Sequence, residues 1–165
     1  MHPGLTDYGR YQIDQLKELV SIQAGDIVLV SPTRRTIETA EQLFPGRSYY
    51  VSPYVGPRMF PQNPELEALL CDVVYSRDEV LKQKRTHCIV DFMDTEWEAD
   101  GINRIADKVF EEYAAQLLNW CKERARRVFV ISHDGTITNY RIYLGEKGLT
   151  RKDFLGEAGM YTLTM

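Results

Sequence analysis

The feature that most constrains this chain is one pattern used twice: four apolar residues rich in β-branching, a sharp turn, then apolar residues at helical spacing. Ile27-Val28-Leu29-Val30 leads through Ser31-Pro32-Thr33 into Ile37, Ala40 and Leu43 or Phe44. Val128-Phe129-Val130-Ile131 leads through Ser132-His133-Asp134-Gly135 into Ile137, Tyr140 and Leu144. An apolar run of that length without polar alternation suits a strand buried on both faces, as parallel strands covered by helices are. The two units predict an open α/β sheet. Ligands bind such sheets at the carboxyl ends of the strands, so both turns become candidates for chemistry.

In the second turn, His133 and Asp134 offer an imidazole and a carboxyl. The backbone N–H groups of Gly135 and Thr136 open the helix that follows and suit an anion. The structural alternative is a turn whose histidine is simply satisfied. In the first turn, Arg34 and Arg35 fall where the helix dipole disfavours cations. A locally unfavourable choice can mark a functional site, and arginine presents a planar fork that fits phosphate oxygens. Two solvated surface arginines are the alternative, and it suits one of the pair. Ser31, at the end of the first strand, joins Arg34, Gly135 and Thr136 among the expected substrate-side residues.

With 165 residues the chain is long enough for one domain, 1–165, but not comfortably for two. Hydrophobic residues make up 44% and charged residues 27%, the range of a soluble globular protein. The net charge of −4 gives no global basic field for nucleic acid or an anionic membrane, so an anion site must be local. Cys71, Cys88 and Cys121 form no C-x-x-C pair, which argues against zinc or a disulfide framework and suits a reducing cytoplasm. No apolar run approaches the ~20 residues of a membrane span, and Met-His-Pro-Gly has no leader-peptide pattern. Self-association stays open.

The other elements follow from spacing. Thr6 caps a helix over about 7–22, with Ile13, Leu16, Leu19 and Val20 as its stripe. Residues 48–52 form a short strand, 65–74 and 77–82 short helices, and 91–98 an acidic loop. A long helix over about 100–124 carries Ile102, Ile105, Val109, Tyr113, Leu117 and Trp120 or Cys121 inward. Thr150 caps a short helix, and 160–165 forms a final strand. Residues 53–96 are the least regular part and include Pro53, Pro57, Pro61 and Pro64. The segment Gly56-Pro57-Arg58-Met59-Phe60-Pro61 cannot be regular helix or central strand. It reads as a substrate-side excursion over the sheet's carboxyl edge, from which Arg58 reaches the anion or stays on the surface. His87, outside any motif, reads as structural.

Three ordered stretches carry a family resemblance: Leu5-Thr6-Asp7-Tyr8-Gly9-Arg10-Tyr11-Gln12, Ser31-Pro32-Thr33-Arg34-Arg35-Thr36-Ile37-Glu38-Thr39-Ala40 and Val130-Ile131-Ser132-His133-Asp134-Gly135-Thr136-Ile137. Together they resemble landmarks of the histidine phosphatase superfamily, the phosphoglycerate-mutase-like fold. That resemblance implies a three-layer α/β/α sandwich with a mainly parallel sheet. It implies that Arg35 clamps phosphate and that His133 is the second active-site histidine, with Gly135 against the phosphate. Asp134 echoes the His-Asp pair of the acid-phosphatase branch and is read as general acid, the alternative being a helix cap. No metal or other cofactor is called for, because arginine and imidazolium supply the positive charge.

The chain departs from the family in two ways. It has no Arg-His-Gly, whose histidine is the family's nucleophile, and residues 52–59 hold no carboxylate. The first strand, which would end in Arg-His-Gly, is expected between the strands ending at Ser31 and Ser132. Its loss would leave those strands to pair directly, to accept a segment of another copy, or to loosen. The function implied is a phosphatase-type domain acting on a phosphomonoester through phosphohistidine, inactive in this chain if the nucleophile strand is absent. The alternatives are a non-catalytic phospho-ligand binding or interaction protein, and an incomplete reading frame.

Overall fold

The computed structural model describes residues 2–164 apart from Pro64, Ala68, Asp94, Glu96 and residues 98–100. Among the described residues, four short strands, all parallel, lie in one sheet: β1 (Ile27–Val30), β2 (Tyr49–Val51), β3 (Cys88–Ile89) and β4 (Val128–Ile131), in the order β3-β2-β1-β4. Five α-helices accompany it among the same residues: α1 (Asp7–Lys17), α2 (Arg34–Leu43), α3 (Arg77–Lys82), α4 (Asp107–Lys122) and α5 (Asp134–Tyr143).

Side chains of a strand alternate between its faces, and β1 divides them cleanly. Val28 and Val30 pack with Ile13 of α1 and with Ile37, Ala40 and Leu43 of α2. Ile27 and Leu29 pack on the opposite face with Phe110, Ala114, Leu117 and Cys121 of α4 and Tyr140 of α5. The expected three-layer α/β/α architecture is therefore present. Each fully buried aliphatic side chain contributes about 1.5–3 kcal/mol by leaving water, and Val30, Leu29, Ile37 and Leu117 are all at or below 1% exposed. Among the described residues, no helix is long and apolar enough to cross a membrane.

β1 and β4 pair directly along their whole length, from Ile27 opposite Val128 to Val30 opposite Ile131. No slot for a further strand lies between them in this chain, which is the direct pairing expected as one response to a missing first strand. Among the described residues, the sheet ends at β3 on one side and at β4 on the other, where Val130 is 44% exposed.

Boundaries were harder to read than elements. Helix α1 begins at its Thr6 cap but ends at Lys17, and Leu19, placed in its stripe by spacing, is 76% exposed. Val20 and Ile22 still pack against the core from outside the helix. Among the described residues of 65–74 only a 3₁₀ turn forms, Leu70–Asp72, and Leu66, Leu69 and Leu70 stay exposed with little to pack on. Helix α4 starts at Asp107, not near 100. Gly101 turns the chain with φ +51°, and Ile102 reaches the core before the helix begins. Its buried stripe is Phe110, Ala114, Leu117 and Cys121, shifted by about one position from Val109 and Tyr113. Residues 160–164 form no strand. Residues 94, 96 and 98 of the acidic loop, residue 100 of the expected helix and Met165 lie outside the described residues. The two-residue strand β3 has no sequence signature of its own.

The segment 52–58 opens the irregular stretch. It is buried throughout and crosses the carboxyl ends of the strands, tied down by side chains from the end of β4 and from α5. Ser132 Oγ donates to the Val55 carbonyl at 2.7 Å, Thr136 Oγ1 to the Gly56 carbonyl at 2.6 Å, and Tyr140 OH to the Tyr54 carbonyl at 2.9 Å. Gly135 completes this seam. A Cβ there would lie 2.1 Å from the Arg58 carbonyl oxygen. Alanine in place of glycine normally gains up to about 1 kcal/mol in a helix, but here the clash with backbone must win. Gly135→Ala is expected to destabilise the domain by more than about 2 kcal/mol, read as a lowered urea midpoint. An unchanged or raised midpoint would refute this account of the seam.

Candidate functional site

Because β1 and β4 are in-register neighbours, the residues just past their carboxyl ends come side by side. Ser31 Oγ lies 2.8 Å from His133 Nε2. Arg35, in the first turn of α2, places Nη2 2.9 Å from His133 Nδ1. A guanidinium can only donate, so Nδ1 is the accepting nitrogen and carries no proton. The neutral ring then bears its proton on Nε2 and donates it to Ser31 Oγ. Ser31 is fully buried and fixed through its backbone: its N–H donates to the Ile131 carbonyl at 3.0 Å, and its own carbonyl accepts from the Thr36 hydroxyl at 2.7 Å. The hydroxyl is thus aimed at the imidazole by a rigid support. Thr33 stands at the start of α2 as expected, but its hydroxyl contacts Thr36 Oγ1 at 2.7 Å and caps no N–H.

Burial pulls the His133 pKa down, the Arg35 charge adds to it, and the imidazole reaches about 3. In the unfolded chain the ring titrates near 6.5. The folded state therefore keeps a neutral ring where the unfolded state binds a proton, and stability falls as pH drops from about 6.5 toward about 3. The loss amounts to a few kcal/mol near the lower end. His133→Gln should remove that part of the acid slope. Parallel urea titrations of both proteins at pH 7 and pH 4 check it, and equal losses for the two would sink the assignment.

Arg35 has further partners. Its Nη1 donates to the Cys71 carbonyl at 2.5 Å, and its Nη2 lies 3.4 Å from Asp72 Oδ1. Asp72 was not anticipated. It lies 37 positions from Arg35, inside a stretch whose spacing suggested only a helix, so no local pattern could have found it.

The structure thus brings Ser31, Arg35 and His133 together. Gly135 and Thr136 are in the first turn of α5, beside them, with side-chain space taken by the seam to 56–58. Asp134 is next to His133, and its Oδ1 accepts the Leu155 N–H at 3.2 Å instead of capping α5. Two of the expected substrate-side residues are engaged with other protein groups in this structure. Arg34 points outward, half-exposed, with Nε 2.6 Å from Glu38 Oε1 one helical turn on; it is the solvated member of the pair. Arg58 is buried, and its guanidinium is taken up by protein partners. Its Nη1 donates to the carbonyls of Ile102 and Ile105, both at 2.9 Å, its Nε to Asn139 Oδ1 at 3.2 Å, and its Nη2 to Asp107 Oδ1 at 2.6 Å. It sits 4.6 Å from the Phe110 ring centroid. Arg58 fastens the turn ahead of α4, where helical backbone partners are lacking.

Chemically, the cluster offers a fixed guanidinium, an imidazole and a helix start at one sheet edge, an environment suited to a tetrahedral oxyanion. Among the described residues, no group of three or more His, Cys, Asp or Glu side chains is placed to hold a metal ion.

No protein-family model matches the chain, and no curated protein matches it. Solved structures do. Ecdysone phosphate phosphatase from Bombix mori, in complex with tungstate, superposes with a TM-score of 0.57 at 16% identity, over 91% of this chain and 60% of that one. TTHB049 and phosphoglycerate mutase, both from Thermus thermophilus, match with TM-scores of 0.48 and 0.44 at 20% and 21% identity. Each of these matches covers 89% of this chain, and 74% and 73% respectively of the other. The likeness to the first is one of fold: the chain shares the fold of that phosphatase over most of its own length.

Proposed function

We propose that the cluster of Arg35, His133 and Ser31 is a phosphate pocket, and that the domain is built to act on a phosphomonoester. The observation that carries this is the double engagement of His133, held by Arg35 on one nitrogen and Ser31 on the other at the carboxyl ends of adjoining strands. That a protein of the same fold is described with tungstate, a tetrahedral oxyanion, supports it. In the reaction the resemblance implies, a histidine nitrogen attacks phosphorus and the bond to the leaving oxygen breaks. Arg35 and His133 stabilise the equatorial oxygens, and Asp134 gives its proton to the leaving alkoxide. Water then hydrolyses the phosphohistidine.

His133 is held neutral by its burial and by the Arg35 charge, but an anion beside it favours the imidazolium, so binding itself would charge the ring for this role. Residues 1–165 include no Arg-His-Gly to supply the nucleophile. We therefore read this chain as able to bind the phosphoryl group without turning it over efficiently, in a reducing compartment such as the cytoplasm. The second reading, a phospho-ligand binding protein, rests on that same missing motif. Calorimetric titration with tungstate and with phosphate tests the shared premise. One site per chain is expected, and absence of binding to both would end it.

A further inference from the structure

We propose that residues 69–73 form a latch over the pocket, with Asp72 standing on Arg35 where a bound anion would stand. This rests on the phosphate-pocket reading and adds a competitor to it. Arg35 Nη2 is shared between His133 Nδ1 and the Asp72 carboxylate, while Nη1 is taken by the Cys71 carbonyl. Both arms of the guanidinium fork are thus occupied by oxygens of one segment. A tetrahedral oxyanion reaching the fork must displace the carboxylate, because two anions on one guanidinium repel each other at that range.

The segment is built to be displaced. Leu69, Leu70 and Val73 are 65%, 79% and 42% exposed, so little apolar burial holds it down. Its anchor lies just beyond: Val74 is buried, and the Tyr75 N–H donates to the Pro32 carbonyl at 2.7 Å. The polar contacts to Arg35 tie 70–72 to the pocket, and Asp72 and Arg35 are each about one quarter exposed. A partly solvated ion pair of this kind is weak enough for a ligand to break.

The test compares wild type with Asp72→Asn, which keeps the shape and removes the charge. Arginine modification by phenylglyoxal, read at Arg35 by tandem mass spectrometry, reports the latch without any ligand. Arg35 should label faster in Asp72→Asn, with Arg34 as the unchanged internal reference. Calorimetry should show tungstate bound about three- to tenfold more tightly by Asp72→Asn, the range that loss of a partly exposed ion pair allows. Equal labelling of Arg35 in the two proteins would overturn the latch, as would weaker tungstate binding by the variant, which would make Asp72 part of the ligand's own site. If neither protein binds tungstate while labelling still accelerates, the latch stands and the phosphate-pocket reading falls.

Discussion

Arg35→Ala is expected to raise the dissociation constant for tungstate or phosphate at least about tenfold, while Arg34→Ala leaves it nearly unchanged. Charge-assisted hydrogen bonds contribute roughly 1.5–3 kcal/mol each, and one such bond is worth about a factor of ten. Arg35 is the arginine whose guanidinium already touches His133, at 2.9 Å, at the junction of the two central strands. Arg34 is one residue earlier on the same helix, which rotates it outward onto Glu38. The pair is therefore an internal control: same charge, same helix turn, different direction. Arg35→Lys should recover only part of the loss, since an ammonium keeps the charge but not the fork. Calorimetry on the three variants decides it. Undiminished binding by Arg35→Ala would remove the clamp from the pocket, whatever the fold resembles.

How much of this was legible beforehand depended on whether the signal was local. The strand–turn–helix units at 27–43 and 128–143 were readable because each carries its own strand, turn and helix signals over about fifteen consecutive residues. The adjacency of Ser31 and His133 depends on the two strands being direct neighbours in the sheet. What could not be read was set by contacts between distant positions. Arg58, after Pro57 in an irregular stretch, reads from sequence as either an anion ligand or a surface arginine. Its actual partners, the carbonyls of Ile102 and Ile105, are more than forty residues away. Those contacts also help to explain why α4 begins late, since the carbonyls ahead of it are bonded to a side chain. Leu66, Leu69 and Leu70 have helical spacing but no surface to cover, and without burial a short helix is marginal. The strand order is a similar case. Periodicity identifies strands, but nothing in Ile27–Val30 or Val128–Ile131 states that they are neighbours.

That strand order sets the expectation with the largest effect on activity. The purified chain of residues 1–165 should hydrolyse nitrophenyl phosphate little or not at all, although it binds the oxyanion. A protein with a family-type strand ending Arg-His-Gly fused ahead of His2 should gain turnover by orders of magnitude. The reason is positional. A parallel strand cannot enter between β1 and β4, which are paired along all four residues. It can pair along the free edge of β4, where Val130 is exposed and no strand is paired among the described residues. A strand running parallel to β4 on that edge ends beside Ser132 and His133, and so delivers its terminal histidine to the pocket from the side opposite Ser31. Residues 2–5 do not occupy that edge in this structure, because Gly4 packs against Arg34 and the Leu5 N–H donates to Glu38 Oε2 at 2.9 Å, next to α2. The gained activity should vanish on replacing the introduced histidine, and on His133→Ala. Robust turnover by the unextended chain, abolished by His133→Ala, would show that the nucleophile is already present and has been misplaced.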